Sequence, residues 1–249
     1  MQQWSGKTAL VTGASSGIGR ATARRLAAEG MNVVLAARRE DRLAALAVEL
    51  EADGARVLAV PTDLREEASI LALFRAAREH LGGVDVLVNN AGLGHDAPLT
   101  SGSTEAWREM LEVNVLGLCV CTREAIADMR LRGDTGHVVH VSSMAAHRVP
   151  PGSGVYSATK YAVRSLTEGL RQELRELGSG VRVTAVSPGY VETEFAAVYH
   201  ADPAAAEKSY SRFKVLEDVD VADAIAWVLS APPHMQVHDV LIRPTDQPG

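Results

Sequence analysis

Aromatic side chains are scarce in this chain: three Trp, three Phe and five Tyr among 249 residues. A core so poor in rings has to be built from Ala, Val and Leu. Lysine is scarcer still, with 4 against 21 Arg, so a Lys at a chemically useful position stands out from its background. Two cysteines are too few for a disulfide framework. Cys119 and Cys121, two apart on an expected helix, point to different sides and cannot clamp a metal. Neither H-E-x-x-H nor paired C-x-x-C occurs, so no metal site is expected. No run of about 18 uninterrupted apolar residues exists, which excludes a membrane-spanning helix. Met1 to Lys7 lack a basic stretch followed by an apolar one, so no secretory signal is read and a cytoplasmic location is expected. A net charge of −6 argues against nucleic acid as the main partner.

What is present is ordinary for a globular protein, 47% hydrophobic and 22% charged. Short apolar runs alternate with longer segments of helical spacing. The runs are Thr8 to Val11, Asn32 to Ala37, Arg56 to Val60, Val84 to Val88, His137 to Val141, Val181 to Val186 and Val240 to Ile242. The helical segments are Gly17 to Glu29, Glu40 to Ala52, Glu66 to Leu81, Thr104 to Leu131, Gly154 to Leu177 and Val219 to Ser230. Continuous rather than alternating apolar runs mark strands covered on both faces, and their alternation with helices predicts a doubly wound α/β sheet. No linker or repeat is visible, so residues 1–249 read as one domain. The least patterned stretch is Tyr190 to Leu216. An irregular insertion of that length in a compact domain suggests a lid, expected at 190–216. Five of the rings, Tyr190, Phe195, Tyr199, Tyr210 and Phe213, fall in it.

The first strand runs into Thr12-Gly13-Ala14-Ser15-Ser16-Gly17-Ile18-Gly19, and a helix follows. Glycines there permit a tight turn and let a pyrophosphate approach the backbone at a helix N-terminus. The same residues spell G-x-S-x-G, the nucleophile elbow of serine hydrolases, which would make Ser15 a nucleophile. An elbow on the first strand leaves no earlier strand–helix loop to complete an oxyanion hole, so the hydrolase is kept as the rival class.

The spacing T-G-x-x-x-G-x-G resembles that of the short-chain dehydrogenase/reductase family. Further pieces of that pattern follow in order: Asp63-Leu64, Asn89-Asn90-Ala91-Gly92, Asn114, Ser143, Tyr156-x-x-x-Lys160 and Pro188-Gly189. The resemblance covers Lys7 to about Thr193. It implies a Rossmann-like sheet of seven parallel strands with helices on both faces. It also implies a homo-oligomer, dimer or tetramer, paired through the two longest helical segments.

Tyr156 and Lys160 lie four apart and project from one helix face. A free Tyr titrates near pH 10, and a nearby ammonium favours its phenolate, so Lys160 is expected to bring Tyr156 toward neutrality. The resemblance assigns roles. Tyr156 exchanges a proton with the substrate oxygen and Ser143, preferred to Ser142, hydrogen-bonds that oxygen. Lys160 binds the nicotinamide ribose, and Asn114 holds a water through its backbone and extends a proton relay.

The second strand ends Ala36-Ala37-Arg38-Arg39, with no acid before Glu40. An NAD enzyme needs a carboxylate here for the ribose hydroxyls, whereas a guanidinium fork meets a 2′-phosphate. NADP(H) is therefore the expected cofactor. The resemblance implies the cofactor set Gly13, Ser15, Ser16, Gly17, Ile18, Gly19, Arg38, Arg39, Asp63, Leu64, Asn90, Ala91, Gly92, Tyr156, Lys160, Pro188, Gly189, Val191 and Thr193. His95, Ala145, His147, Arg148, Tyr190 and Phe195 are the substrate-pocket candidates. His137 and His140, on the fifth strand, are read as structural.

The tail Ile242-Arg243-Pro244-Thr245-Asp246-Gln247 resembles NADP-dependent reductases near the serine/3-hydroxy acid dehydrogenases and clavulanic acid dehydrogenase. The expected activity is NADPH-dependent reduction of an aldehyde or ketone of a polar small molecule, in secondary metabolism. Oxidation of serine or another 3-hydroxy acid is the alternative, and a cofactor sensor without turnover is a third reading.

Overall fold

The computed structural model describes residues 1–248 apart from 201, 203, 205, 206, 208 and 209. Seven strands form one sheet: β1 Thr8–Thr12, β2 Asn32–Ala37, β3 Val57–Pro61, β4 Val86–Asn89, β5 Thr135–Val141, β6 Gly180–Pro188 and β7 Asp239–Ile242. Their order is β3-β2-β1-β4-β5-β6-β7, and every neighbouring pair is parallel. Successive strand residues face opposite sides of the sheet. Ala9 and Val11 of β1 therefore pack with one cluster, while Leu10 packs with the other.

The first cluster lies under α1 Gly17–Ala28, α2 Glu40–Ala52 and a later helix, Asp218–Ser230, through Leu26, Leu43 and Ile225. The second lies under α3 Glu67–Leu81 and the helices that follow β4, through Leu73, Phe74, Cys121 and Met129. As the composition requires, Ala, Val and Leu fill both. Phe74 is fully buried and Trp4 nearly so, while most of the other rings sit elsewhere.

Two elements differ from the sequence reading. The expected helix Thr104 to Leu131 is α4 Thr104–Leu111 and α5 Leu118–Leu131, joined by a π-helical turn, Glu112–Gly117. A π-turn carries an extra residue and commonly marks a functional site; here it contains Asn114. After α6 Gly154–Glu176 and β6, the supposedly irregular segment holds a short helix, α7 Phe195–His200, and a parallel bridge between Val191 and Leu216. A helix there sets Phe195 and Tyr199, four apart, on one face. Positions 201, 203, 205, 206, 208 and 209 of the expected lid lie outside the described residues. Asp218–Ser230 is α8. Among the described residues no helix is long and apolar enough to cross a membrane.

β1 is flanked by β2 on one side and β4 on the other, so the strand order reverses there. Crevices beyond the carboxyl ends of strands at such a reversal are where open α/β sheets bind ligands.

Candidate active site

The crevice at that reversal is a cleft of about 720 Å³. Its floor is the glycine loop and the Asn90–Gly92 turn, sewn together through Thr12. The Thr12 hydroxyl accepts from the Asn90 and Ala91 amides at 3.1 and 3.0 Å, and Asn90 Nδ2 donates to the Thr12 carbonyl at 2.9 Å. Gly13 has φ +68°, and a Cβ on it would stand 2.9 Å from Ala91 Cα. A Cβ on Gly17, at φ +48°, would stand 2.9 Å from Thr193 Cγ2. No side chain caps α1 and no acid sits in its first turn, so its positive end is left to the cleft. These features fit a dinucleotide phosphate. Gly19 does not line the cleft; it lets α1 press against the Asn90 amide and the Gly13 carbonyl.

Three of the four expected catalytic residues line the cleft: Ser143 after β5, and Tyr156 and Lys160 on α6. Asn114, 1% exposed, stands behind them. Its Nδ2 donates to the Leu93 carbonyl at 2.7 Å and to Thr159 Oγ1 at 3.0 Å, and its Oδ1 accepts from the Leu93 amide at 2.9 Å. The side chain thus locks the strand-end loop onto α6. Ser142 also borders the cleft, and its hydroxyl donates to the Lys160 carbonyl at 3.4 Å.

Burial pushes the Tyr156 phenol up to about 12, against a hydrogen bond with Ser143 that pulls it down. Burial draws the Lys160 ammonium down to about 8. Lys160 Nζ donates to the Val141 carbonyl at 3.0 Å and lies 5.9 Å from the Tyr156 ring centre. The expectation that Lys160 brings Tyr156 toward neutrality is therefore corrected. Among the protein's own groups desolvation sets the direction, Ser143 opposes it, and the Lys160 ammonium donates to the Val141 carbonyl instead.

At the β2 end, Arg38 and Arg39 both line the cleft, and they divide the work. Arg39 Nε and Nη2 donate to Ser15 Oγ at 3.1 and 3.0 Å, and Nη2 donates to Ser16 Oγ at 2.7 Å. Arg38 reaches Glu109 at 3.6 Å. Ser15 is held by an arginine and, among the described residues, no histidine is hydrogen-bonded to it to serve as the base a hydrolase nucleophile needs. Asp63 pairs with Arg65, which holds its carboxyl below the usual range, and Leu64 lines the cleft beside it.

On the opposite side, Ala145, Arg148, Pro188, Gly189, Tyr190, Val191, Thr193 and Phe195 line the cleft as expected. Phe195 meets the Tyr156 ring at 5.3 Å and Tyr199 meets it edge-on at 6.3 Å. Tyr210 ties the segment together, donating to the Thr193 carbonyl at 3.0 Å, while Tyr190 meets Phe213 at 5.8 Å. His95 lines the cleft and pairs with Glu109 at 2.8 Å. His147 does not line it. Its Nε2 turns to Asp239 Oδ2 at 3.1 Å, because the short helix Met144–Ala146 rotates it toward β7. His137 and His140 are buried and drawn down to about 3, so they are neutral.

Glu109, Glu194 and Gln247 were not anticipated, and all line the cleft. Gln247 Oε1 accepts from the Tyr190 amide at 3.0 Å, so the tail fixes the turn after β6. Its place in the tail motif was the one available signal.

The model of the short chain dehydrogenase family matches residues 7–204. Dehydrogenase/reductase SDR family member 11 of Bos taurus is 50% identical over 253 residues, covering 99% of each chain. Farnesol dehydrogenase of Aedes aegypti is 41% identical over 251 residues, again covering 99% of each. A solved closed form of serine dehydrogenase complexed with NADP+ superposes with a TM-score of 0.91 at 35% identity, over 97% of this chain and 96% of that one.

Proposed function

Because the chain belongs to the short-chain dehydrogenase/reductase family, NAD(P)-dependent oxidoreductases acting on CH–OH groups, we propose that it is an NADPH-dependent reductase of aldehydes or ketones. The observation that carries this reading is the Tyr156 phenol set beside Ser143 and Lys160 in a cleft whose nucleotide end holds two arginines and no free carboxylate at the strand end. NADP(H), when bound, supplies or takes up the hydride. Arg38 and Arg39, with Ser15 and Ser16, hold its 2′-phosphate. Gly13 to Ile18, Asp63, Leu64 and Asn90 to Gly92 cradle the nucleotide, and Pro188 to Thr193 border the nicotinamide.

Tyr156 passes its phenolic proton to the substrate oxygen, which Ser143 also holds. A phenol kept protonated by burial is in the right state to act as the acid of a reduction. Lys160, drawn toward about 8, is able to relay a proton at ordinary pH. Phe195 and Tyr199 exclude water from the phenol. One domain carries the whole site, with 190–216 as its substrate lid. Exposed Leu116, Leu131, Tyr161 and Leu177 on the two longest helical segments support a homo-oligomer paired there.

The substrate is a polar small molecule. Oxidation of a 3-hydroxy acid such as serine is the second reading, favoured by one observation: Arg148 lines the cleft and its Nε is buried without a hydrogen-bond partner. The likeness to serine dehydrogenase supports it, whereas the likeness to farnesol dehydrogenase supports a more apolar alcohol.

The test is NADPH consumption over a panel of aldehydes and ketones, and NADP+ reduction over serine, 3-hydroxy acids and isoprenoid alcohols. Tyr156→Phe is expected to lower kcat by about 10²- to 10⁴-fold. Turnover unchanged in that variant rejects the mechanism, and equal KM for NADH and NADPH rejects the cofactor assignment.

A further inference from the structure

Glu194 is the last residue before the lid helix α7, yet its carboxylate belongs to the nucleotide end of the cleft. Oε2 accepts from Arg39 Nη1 at 2.7 Å and Oε1 accepts from Arg42 Nη1 at 2.6 Å. Those two guanidinium groups hold the carboxyl well down, at about 2, so it is ionised throughout the working range. The Nε and Nη2 donors of Arg39 go to Ser15 and Ser16. Arg39, both serines and Glu194 all line the cleft. A protein anion therefore already engages the arginine fork that the 2′-phosphate requires. It comes from the segment whose next residue, Phe195, lies against Tyr156.

We propose that Glu194 is a cofactor-specificity residue, a built-in competitor for the 2′-phosphate at Arg39 that ties the lid to the phosphate end of the cofactor site. The proposal rests on the NADP(H) assignment above. A dianionic phosphate at Arg39 and the Glu194 carboxylate would repel each other and compete for the one guanidinium. Binding the phosphate leaves Glu194 with Arg42 alone, so one of the two ties from the lid to the nucleotide end is released. A nucleotide without a 2′-phosphate leaves both ties in place. Glu194 thus lowers the affinity for NADP(H) in return for making the lid respond to which cofactor has bound.

The experiment is calorimetric titration of the full chain with 2′,5′-ADP and with 5′-AMP, which carry the adenosine end and undergo no turnover. Wild type is expected to bind 2′,5′-ADP more tightly than 5′-AMP. Glu194→Gln keeps the shape and removes the charge. It is expected to tighten 2′,5′-ADP by about three- to fivefold, the scale of a partly exposed ion pair, and to leave 5′-AMP unchanged. Glu194→Ala is expected to shift the same way, and thermal melting confirms that each variant is folded. Tightening confined to 2′,5′-ADP supports the proposal. Unchanged or weaker 2′,5′-ADP binding, or an equal change for both nucleotides, overturns it while the cofactor assignment stands. A wild type that does not distinguish the two nucleotides overturns both.

Discussion

The floor of the cleft is held by backbone and the wall above it by rings. On the floor, glycines at 13 and 17 leave no side chain to move, and Thr12 and Asn90 bond peptide groups at about 3 Å. Over the phenol, Phe195 and Tyr199 touch Tyr156 only through ring faces and edges. Hydrogen bonds from a part-buried hydroxyl or side-chain amide to fixed peptide groups are directional, and a displaced partner leaves a polar atom unpaired. Ring contacts are weakly directional and tolerate sliding. The floor is therefore suited to one invariant ligand, the dinucleotide, and the wall to substrates that differ between relatives.

That contrast is broken most severely at Gly19. A Cβ there, behind the floor, runs into the Gly13 carbonyl, which is backbone, and the Asn90 side-chain amide, which would have to leave the Thr12 carbonyl to yield. Gly19→Ala is expected to cost about 1–3 kcal/mol of stability and to abolish measurable 2′,5′-ADP binding, read by melting and calorimetry. An unshifted melting temperature would show that the floor yields as easily as the wall.

Beneath the phenol, Lys160 sharpens the comparison. Its ammonium is 5% exposed and titrates at about 8 instead of 10.5. The unfolded chain keeps that proton up to the higher value. Burying the charge therefore costs stability below about pH 8, and the cost fades as pH rises from about 8 to 10.5. Lys160→Met removes the charge and also the hydrogen bond to Val141. It is expected to raise stability at pH 7 by on the order of 2 kcal/mol, with the advantage shrinking toward pH 10, while activity is lost. A variant less stable than wild type at pH 7 would mean that the Val141 bond outweighs desolvation.

Phe195→Ala is the mildest change. The ring is half-buried and bonded to nothing. Melting and 2′,5′-ADP binding are expected to stay put, while KM for the carbonyl substrate rises about fivefold, the scale of half a buried ring. A loss of nucleotide affinity in this variant would erase the division between floor and wall.

Much of the floor was legible because its chemistry is local. Gly13 to Gly19 lie within one turn and Tyr156 and Lys160 within one helical turn, so spacing alone places them together. The resemblance prefers Ser143 to Ser142; both border the cleft, and the Ser142 hydroxyl donates to the Lys160 carbonyl. Asn114 was legible as a site residue, but its partners were not. Leu93 and Thr159 lie 21 and 45 residues away, and only the packing of a π-turn against α6 brings them in. Arg38 was read as the phosphate ligand on its place at the strand end. Which of Arg38 and Arg39 grips the serines depends on how α2 leaves that strand. His147 was misplaced because a single turn, Met144–Ala146, decides whether it faces the cleft or β7.

Five of the few rings fall in the segment expected to be a lid. The segment does gather them, but in two groups. Phe195 and Tyr199 meet Tyr156, while Tyr190 pairs with Phe213 and Tyr210 bonds the backbone of Thr193. The sequence by itself determined the sheet, the glycine floor and the Tyr156–Lys160 pair, since apolar periodicity and short spacings act over one or two elements. Only the tertiary structure decided the state of the phenol, the partners of Asn114 and the grip of Glu194 on Arg39. Those depend on burial and on distances between residues remote in the chain, which no local pattern records.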